Sequence, residues 1–109
     1  MQDALAELET TYFTLQSKIG ALLDACQTQP QKDALTTQYV AARSAYWSCV
    51  NKAFHDDDPA VKALTTQLDA ANTQLKTAVQ QLGDIKTIID IITQVVTVGA
   101  GLASKVIAM

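Results

Sequence analysis

The second half of this 109-residue sequence carries an unbroken hydrophobic repeat, and no other feature restricts the possible folds so strongly. From residue 58 onward, apolar or small residues recur at alternating steps of three and four. The series is Val61, Leu64, Leu68, Ala71, Leu75, Ala78, Leu82, Ile85, Ile89, Ile92, Val96, Gly99, Ala103 and Val106. A period of about 3.5 residues is typical of a helix that presents one stripe to neighbouring helices. The sequence therefore predicts helix throughout this region.

Two shorter repeats precede it, and each predicts one helix of about 25 residues. The first covers residues 3–27, with the stripe Leu5, Leu8, Tyr12, Leu15, Ile19, Leu22 and Cys26; the second covers residues 30–54, with Leu35, Tyr39, Ala42, Tyr46, Cys49 and Ala53, widened by Val50 and Phe54. Asp3 can cap the first helix, Thr28 with Gln31 fits a capping box, and Asp58 before Pro59 is typical of an N-cap.

These elements predict an all-α fold in a single domain, residues 1–109. Short links between helices of similar length make antiparallel neighbours, so we expect an antiparallel bundle with heptad, coiled-coil-like packing. If the first two helices reverse near residue 29, Tyr12 and Phe13 lie level with Tyr46 and Trp47. The sequence therefore predicts an aromatic cluster that bridges these two helices.

Gly83 leaves two topologies open. Glycine in the left-handed conformation followed by Asp84 would end one helix near residue 82 and begin a fourth over residues 84–107. The heptad phase, however, continues through Gly83, and this favours one continuous helix of about 50 residues, or about 75 Å. Such a helix would extend beyond the first two helices and would need a partner.

The apolar face broadens after residue 84, which is typical of a helix buried in protein or in lipid. We expect a non-enzymatic protein–protein interaction or assembly module that binds itself, as a homo-oligomer, or a partner protein. The predicted interface comprises Leu82, Ile85, Ile88, Ile89, Ile92, Val95 and Val96.

Two other interpretations of the same segment are possible. In the first, residues 85–107 insert into a membrane and the protein is membrane-active or pore-forming. The longest uncharged run, Ile91–Ser104, has 14 residues, whereas a membrane span needs about 20. In the second, a monomeric four-helix bundle acts as an inhibitor or adaptor.

The rest of the sequence contains no pattern that carries chemistry. We expect no catalytic residues, no cofactor and no metal: the one histidine, His55, adjoins three consecutive aspartates that cannot all point at one ion, and no calcium-loop or CxxC spacing occurs. Paired helices would hold Cys26 and Cys49 about 25 Å apart, too far for a disulfide.

Charge and the N-terminal residues suggest where the protein acts. A net charge of −3 without a basic face argues against nucleic acid as a partner. The N-terminus shows no signal-peptide pattern, so we expect a cytoplasmic protein, with leaderless export and membrane association left open.

Overall fold

The computed structural model is a bundle of four α-helices. It describes residues 4–50, 53–54, 58–81 and 83–107. The helices are α1 (Ala4–Ala25), α2 (Gln29–Cys49), α3 (Pro59–Gln81) and α4 (Ile85–Ala103). Two-residue strands β1 (Ala53–Phe54) and β2 (Val106–Ile107) pair antiparallel, with Ala53 opposite Ile107. The prediction of an all-α helical bundle is confirmed, whereas the expectations for Asp3, His55 and Leu82 fall outside the described residues.

Two predicted helix starts are confirmed by their capping bonds. Thr28 has an extended backbone, and its Oγ1 accepts a hydrogen bond from the Gln31 amide at 3.3 Å. Gln31 Oε1 in turn accepts from the Gln27 amide at 2.7 Å, one residue earlier than a capping box requires. Asp58 Oδ1 accepts from the Ala60 amide at 2.8 Å at the start of α3.

The predicted end of the second helix is wrong. Instead of continuing to residue 54, α2 ends at Cys49. The backbone of β1, which the periodicity placed in the helix, pairs with β2 near the C-terminus. This pairing supplies the backbone hydrogen bonds that a further turn of helix would have supplied, and it also ends the last helix earlier than residue 107.

Of the two topologies left open at Gly83, the continuous C-terminal helix favoured by the heptad phase is wrong, and the alternative with a separate fourth helix is confirmed. Helix α3 ends at Gln81, and Asp84 caps a separate α4 by accepting from the Lys86 amide at 3.4 Å and the Thr87 hydroxyl at 3.2 Å. Gly83 does not adopt the left-handed conformation that we expected. The longest dimension of the bundle is 43 Å, so no 75 Å helix extends from it. The break lets α4 bury its apolar face within its own chain.

Helix α4 packs against all three other helices and supplies the largest share of the core. Its buried residues are Ile85, Ile88, Ile89, Ile92, Val95, Val96, Gly99 and Leu102. A Cβ atom added at Gly99 would lie 3.4 Å from Cδ2 of Leu8 and 4.0 Å from Cδ1 of Leu68. The glycine therefore lies directly against side chains of α1 and α3.

The buried stripe of α3 is rotated from the predicted one. Its buried residues are Val61, Thr65, Leu68, Asn72, Leu75 and Val79, still at alternating steps of four and three. Leu64, Ala71 and Ala78, which the prediction placed on the stripe, lie half-buried at its edge. Two polar residues thus occupy core positions that hydrophobic periodicity assigned to their apolar neighbours.

Asn72 is accommodated in the core because α1 satisfies its side chain. Its Nδ2 donates to the Glu7 carbonyl at 3.0 Å and to Glu7 Oε1 at 3.1 Å, while the Thr11 hydroxyl donates to Asn72 Oδ1 at 2.6 Å. Thr11 and Asn72 are both 3% exposed. These bonds form at only one axial alignment of the two helices, so they specify how α1 and α3 pack.

Replacing Asn72 tests this polar contact. We expect Asn72→Ala to lower the free energy of unfolding by about 1–3 kcal/mol, because it leaves buried groups of α1 without partners. Asn72→Leu should recover most of that loss. The leucine side chain fills the space, and the Thr11 hydroxyl still donates to the Glu7 carbonyl, 3.1 Å away. Urea denaturation measures both variants. An equal effect of Asn72→Ala and of the exposed control Gln74→Ala would contradict the prediction.

Candidate protein-binding surface

The described residues that were predicted to form an interface between chains are buried in the core of the bundle. Ile92 is 0% exposed, Val95 is 1% exposed and Ile89, the most accessible of them, is 8% exposed. Ile85, Ile88 and Val96 are buried as well, and Leu82 lies outside the described residues. The chain's own helices cover this face, and its role in association stays a prediction.

The predicted aromatic cluster is confirmed between α1 and α2. The ring of Tyr12 stacks on that of Tyr46 with centroids 5.8 Å apart, and Phe13 meets Tyr46 edge to face at the same distance. Trp47 contacts Tyr46 at 5.2 Å. Tyr39, which the prediction left out of the cluster, lies 5.9 Å from Tyr12. Tyr39 is half-buried and lies seven residues before Tyr46 on the same stripe of α2. That spacing is the sequence signal that could have placed Tyr39 in the cluster.

Part of this cluster faces solvent. Trp47 is 55% exposed, Phe13 44% exposed and the neighbouring Val40 50% exposed. Among the described residues these are the large hydrophobic side chains that lie open to water, and all three belong to α1 or α2. The exposed residues of α3, in contrast, are Pro59 and otherwise only Lys, Thr, Gln and Ala. The apolar surface of the bundle is therefore concentrated on one side.

An open groove of about 320 Å³ lies along α2 beside this surface, lined by Val40, Arg43, Ser44 and Trp47. Sequence reasoning did not single out Val40 or Arg43. The signal that could have found them is their spacing: positions 40, 43 and 47 follow a three–four step on the side of α2 opposite its core stripe. We define the aromatic surface as Phe13, Val40, Arg43, Ser44, Tyr46 and Trp47.

The described part of the chain holds little that could carry chemistry. Nowhere in it do three or more His, Cys, Asp or Glu side chains gather closely enough to hold a metal ion. Cys26 and Cys49 are free thiols, half-buried and buried respectively, at the ends of α1 and α2. The arrangement that stands out among the described residues is a helical surface with exposed aromatic rings, one guanidinium and the hydroxyls of Ser44 and Tyr46.

Comparison with known proteins adds no relative. No family model, no curated protein and no solved structure matches the chain.

Electrostatics at the aromatic surface centre on Tyr46. Partial burial raises the pKa of its phenol above the usual value near 10.0. The Glu9 carboxylate, which accepts the phenol's hydrogen bond at 3.2 Å, raises the pKa further because it repels a phenolate. The pKa of Tyr39 is also raised, first by burial and then by its contact with the Tyr12 phenol.

These shifts predict a loss of stability in alkali. A phenol whose pKa is higher in the folded state holds its proton there while the unfolded chain releases it, so the free energy of unfolding falls as pH rises above about 10. Tyr46→Phe should reduce this fall without removing it, because Tyr39 still contributes. Urea midpoints at about pH 8 and about pH 11 measure the effect. Equal falls in the native and Tyr46→Phe proteins would show that Tyr46 is not responsible.

Proposed function

We propose that this protein is a non-enzymatic helical module that binds another protein through the aromatic surface of α1 and α2. The observation that carries the proposal is the exposure of Trp47, Phe13 and Val40 on one side of a bundle whose core is otherwise closed. Tryptophan, tyrosine and arginine are the residues that most often dominate the binding energy of protein interfaces. This surface combines all three types with a groove that a partner side chain can enter.

Energetics favour this surface over the isoleucine face of α4. Exposing a buried isoleucine costs about 1.5–3 kcal/mol, so freeing Ile85, Ile88, Ile89 and Ile92 would cost on the order of 10 kcal/mol. That is comparable with the entire stability of a domain of this size. Association through the residues predicted from sequence would therefore require the bundle to open, whereas the aromatic surface can bind without any rearrangement.

We also propose that neighbouring helices are antiparallel and that their stripes pack as heptads. The links between α1 and α2 and between α3 and α4 span three residues each. Three residues reach only about 10 Å, too short to return along a helix of more than 30 Å. A Cβ atom added at Gly99 would lie 4.0 Å from Leu68 Cδ1, and one added at Gly101 would lie 3.9 Å from Leu64 Cδ2, which agrees with this order. If α3 and α4 are antiparallel, spin labels at the exposed residues Lys62 and Ser104 should lie close together, because the start of α3 then lies beside the end of α4. A separation of the two labels above about 30 Å would reject the antiparallel arrangement.

Site-specific photo-crosslinking tests the binding surface. A photoreactive residue in place of exposed Ser44, beside Trp47, should crosslink a protein of discrete mass in cells that make this chain. The matched control carries the same residue at Gln74, on the outer side of α3. Trp47→Ala should lower the yield from position 44 by about tenfold or more, because it removes the largest exposed anchor. Similar yields at positions 44 and 74 would reject the proposal.

A membrane-active protein is the second candidate, and one observation favours it. Among the described residues, α4 is long and apolar enough to cross a membrane by length and composition. The core helix of a water-soluble protein meets the same criterion, and the apolar face of α4 lies in the core here. Insertion would require α4 to leave the bundle.

Vesicle flotation separates the two functions. If α4 inserts, the protein should float with anionic or neutral vesicles at low salt and release an entrapped dye. Gln94→Lys should then abolish both effects, since a charge at the centre of the span costs about 2.5–3.5 kcal/mol in the bilayer. The same change should leave the bundle folded, because Gln94 is exposed to water there. No flotation with either vesicle would eliminate this candidate.

A further inference from the structure

Helix α2 carries a second stripe on its outer side. Its core stripe consists of Leu35, Ala42 and Cys49, all buried and seven residues apart. The outer stripe, which we call the α2 outer stripe, consists of Gln29, Asp33, Thr36, Val40, Arg43 and Trp47. These six residues follow one another at steps of four, three, four, three and four, and every one of them is exposed. An exposed row with this spacing matches the contact line of paired helices.

Charge is arranged along the stripe in a self-complementary way. Asp33 lies near the start of α2 and Arg43 lies ten residues later, on the same side. Gln29 Nε2 donates a hydrogen bond to Asp33 Oδ1 at 2.9 Å, and this bond shows that the two side chains point in the same direction. Asp33 and Arg43 lie at equal distances from the midpoint of the stripe, and opposite charges placed in this way are brought together when the stripe meets its own copy in reverse orientation.

We propose that a second copy of this chain docks on the α2 outer stripe, with the two α2 helices antiparallel about a two-fold axis. The axis passes between Thr36 and Val40, so that Asp33 of each copy faces the partner's Arg43. Thr36 then faces the partner's Val40, and Gln29 faces the partner's Trp47. This inference rests on the proposed function and identifies the bound protein as the chain itself.

Other arrangements on this stripe leave its charges unsatisfied. A parallel pair would bring Asp33 against the partner's Asp33 and Arg43 against the partner's Arg43, and like charges at an interface are strongly disfavoured. An antiparallel pair shifted by one heptad would place both charges against uncharged residues. A foreign helix would need an acidic and a basic residue at the same separation, which a second copy provides by symmetry.

The interface should be small and reversible. The contact runs along one helix of 21 residues, or about 30 Å, so it belongs at the lower end of the size range of specific interfaces. Val40 and Trp47 supply its apolar contacts, and the paired charges select the orientation. We therefore expect a dimer that forms with rising concentration and weakens as salt screens the two charge pairs.

Sedimentation equilibrium at low salt, from about 10 µM to about 1 mM, tests the arrangement. The native chain should dimerise within this range. Asp33→Arg and Arg43→Asp, each alone, should raise the dimer dissociation constant by about tenfold or more, because each opposes like charges twice. An equimolar mixture of the two variants should form a heterodimer. In it, the arginine introduced at position 33 faces the aspartate introduced at position 43, and native Arg43 faces native Asp33, so both facing pairs have opposite charges. The double variant D33R/R43D should dimerise again, because both of its facing pairs are again of opposite charge.

The matched control is Lys76→Asp, a charge reversal on the exposed side of α3, which should leave dimerisation unchanged. Circular dichroism checks that every variant is folded. The variants Asp33→Lys and Arg43→Glu provide a second charge-reversed pair for the same mixing experiment. A native chain that stays monomeric at about 1 mM, a dimer insensitive to the single reversals, or a mixture that forms no heterodimer would each overturn the inference. A monomeric chain that still crosslinks another protein from position 44 would overturn only the dimer and leave the proposed function standing.

Discussion

Burial of the apolar face of α4 is the interaction on which the rest of the structure depends. Helices α1, α2 and α3 each contribute a narrow stripe, whereas α4 buries eight residues over a wide face and touches all three neighbours. Ile92 and Leu102 are completely buried. A helix this apolar must be covered, and the break between α3 and α4 lets the other helices of the same chain cover it. The break thus removes the exposed overhang that a continuous helix would have required an oligomer to bury.

Polar side chains in the core make this apolar packing specific. Hydrophobic burial alone tolerates sliding and rotation of helices, because one aliphatic contact can replace another. The bonds between Asn72, Thr11 and Glu7 form in one alignment only, and losing them leaves buried polar groups without partners. The rotation of the α3 stripe places Asn72 at this contact with α1.

Because the core of the bundle is closed, a partner can bind without rearrangement only at the surface. With the isoleucines of α4 covered, the remaining exposed large apolar groups of the described residues lie on α1 and α2. Helix α2 has the thinnest buried stripe, three residues a heptad apart, and it therefore presents most of its circumference to water. The aromatic surface and the α2 outer stripe both result from this asymmetry: the helix that contributes least to the core has the most surface free for a partner.

The sequence by itself determined the helical class, the approximate helix starts and the aromatic pairing of α1 with α2, because hydrophobic period, capping residues and short links are local signals that need no knowledge of distant contacts. Only the tertiary structure decided the break at Gly83, since a heptad phase that favours a straight helix can also be kept by two helices facing one core. It also decided that Asn72 replaces Ala71 in the core, because a partner 65 residues away satisfies that amide. The candidate surface eluded sequence reasoning for a related reason: a side chain's exposure depends on which faces the other helices cover, and no single helix carries that information.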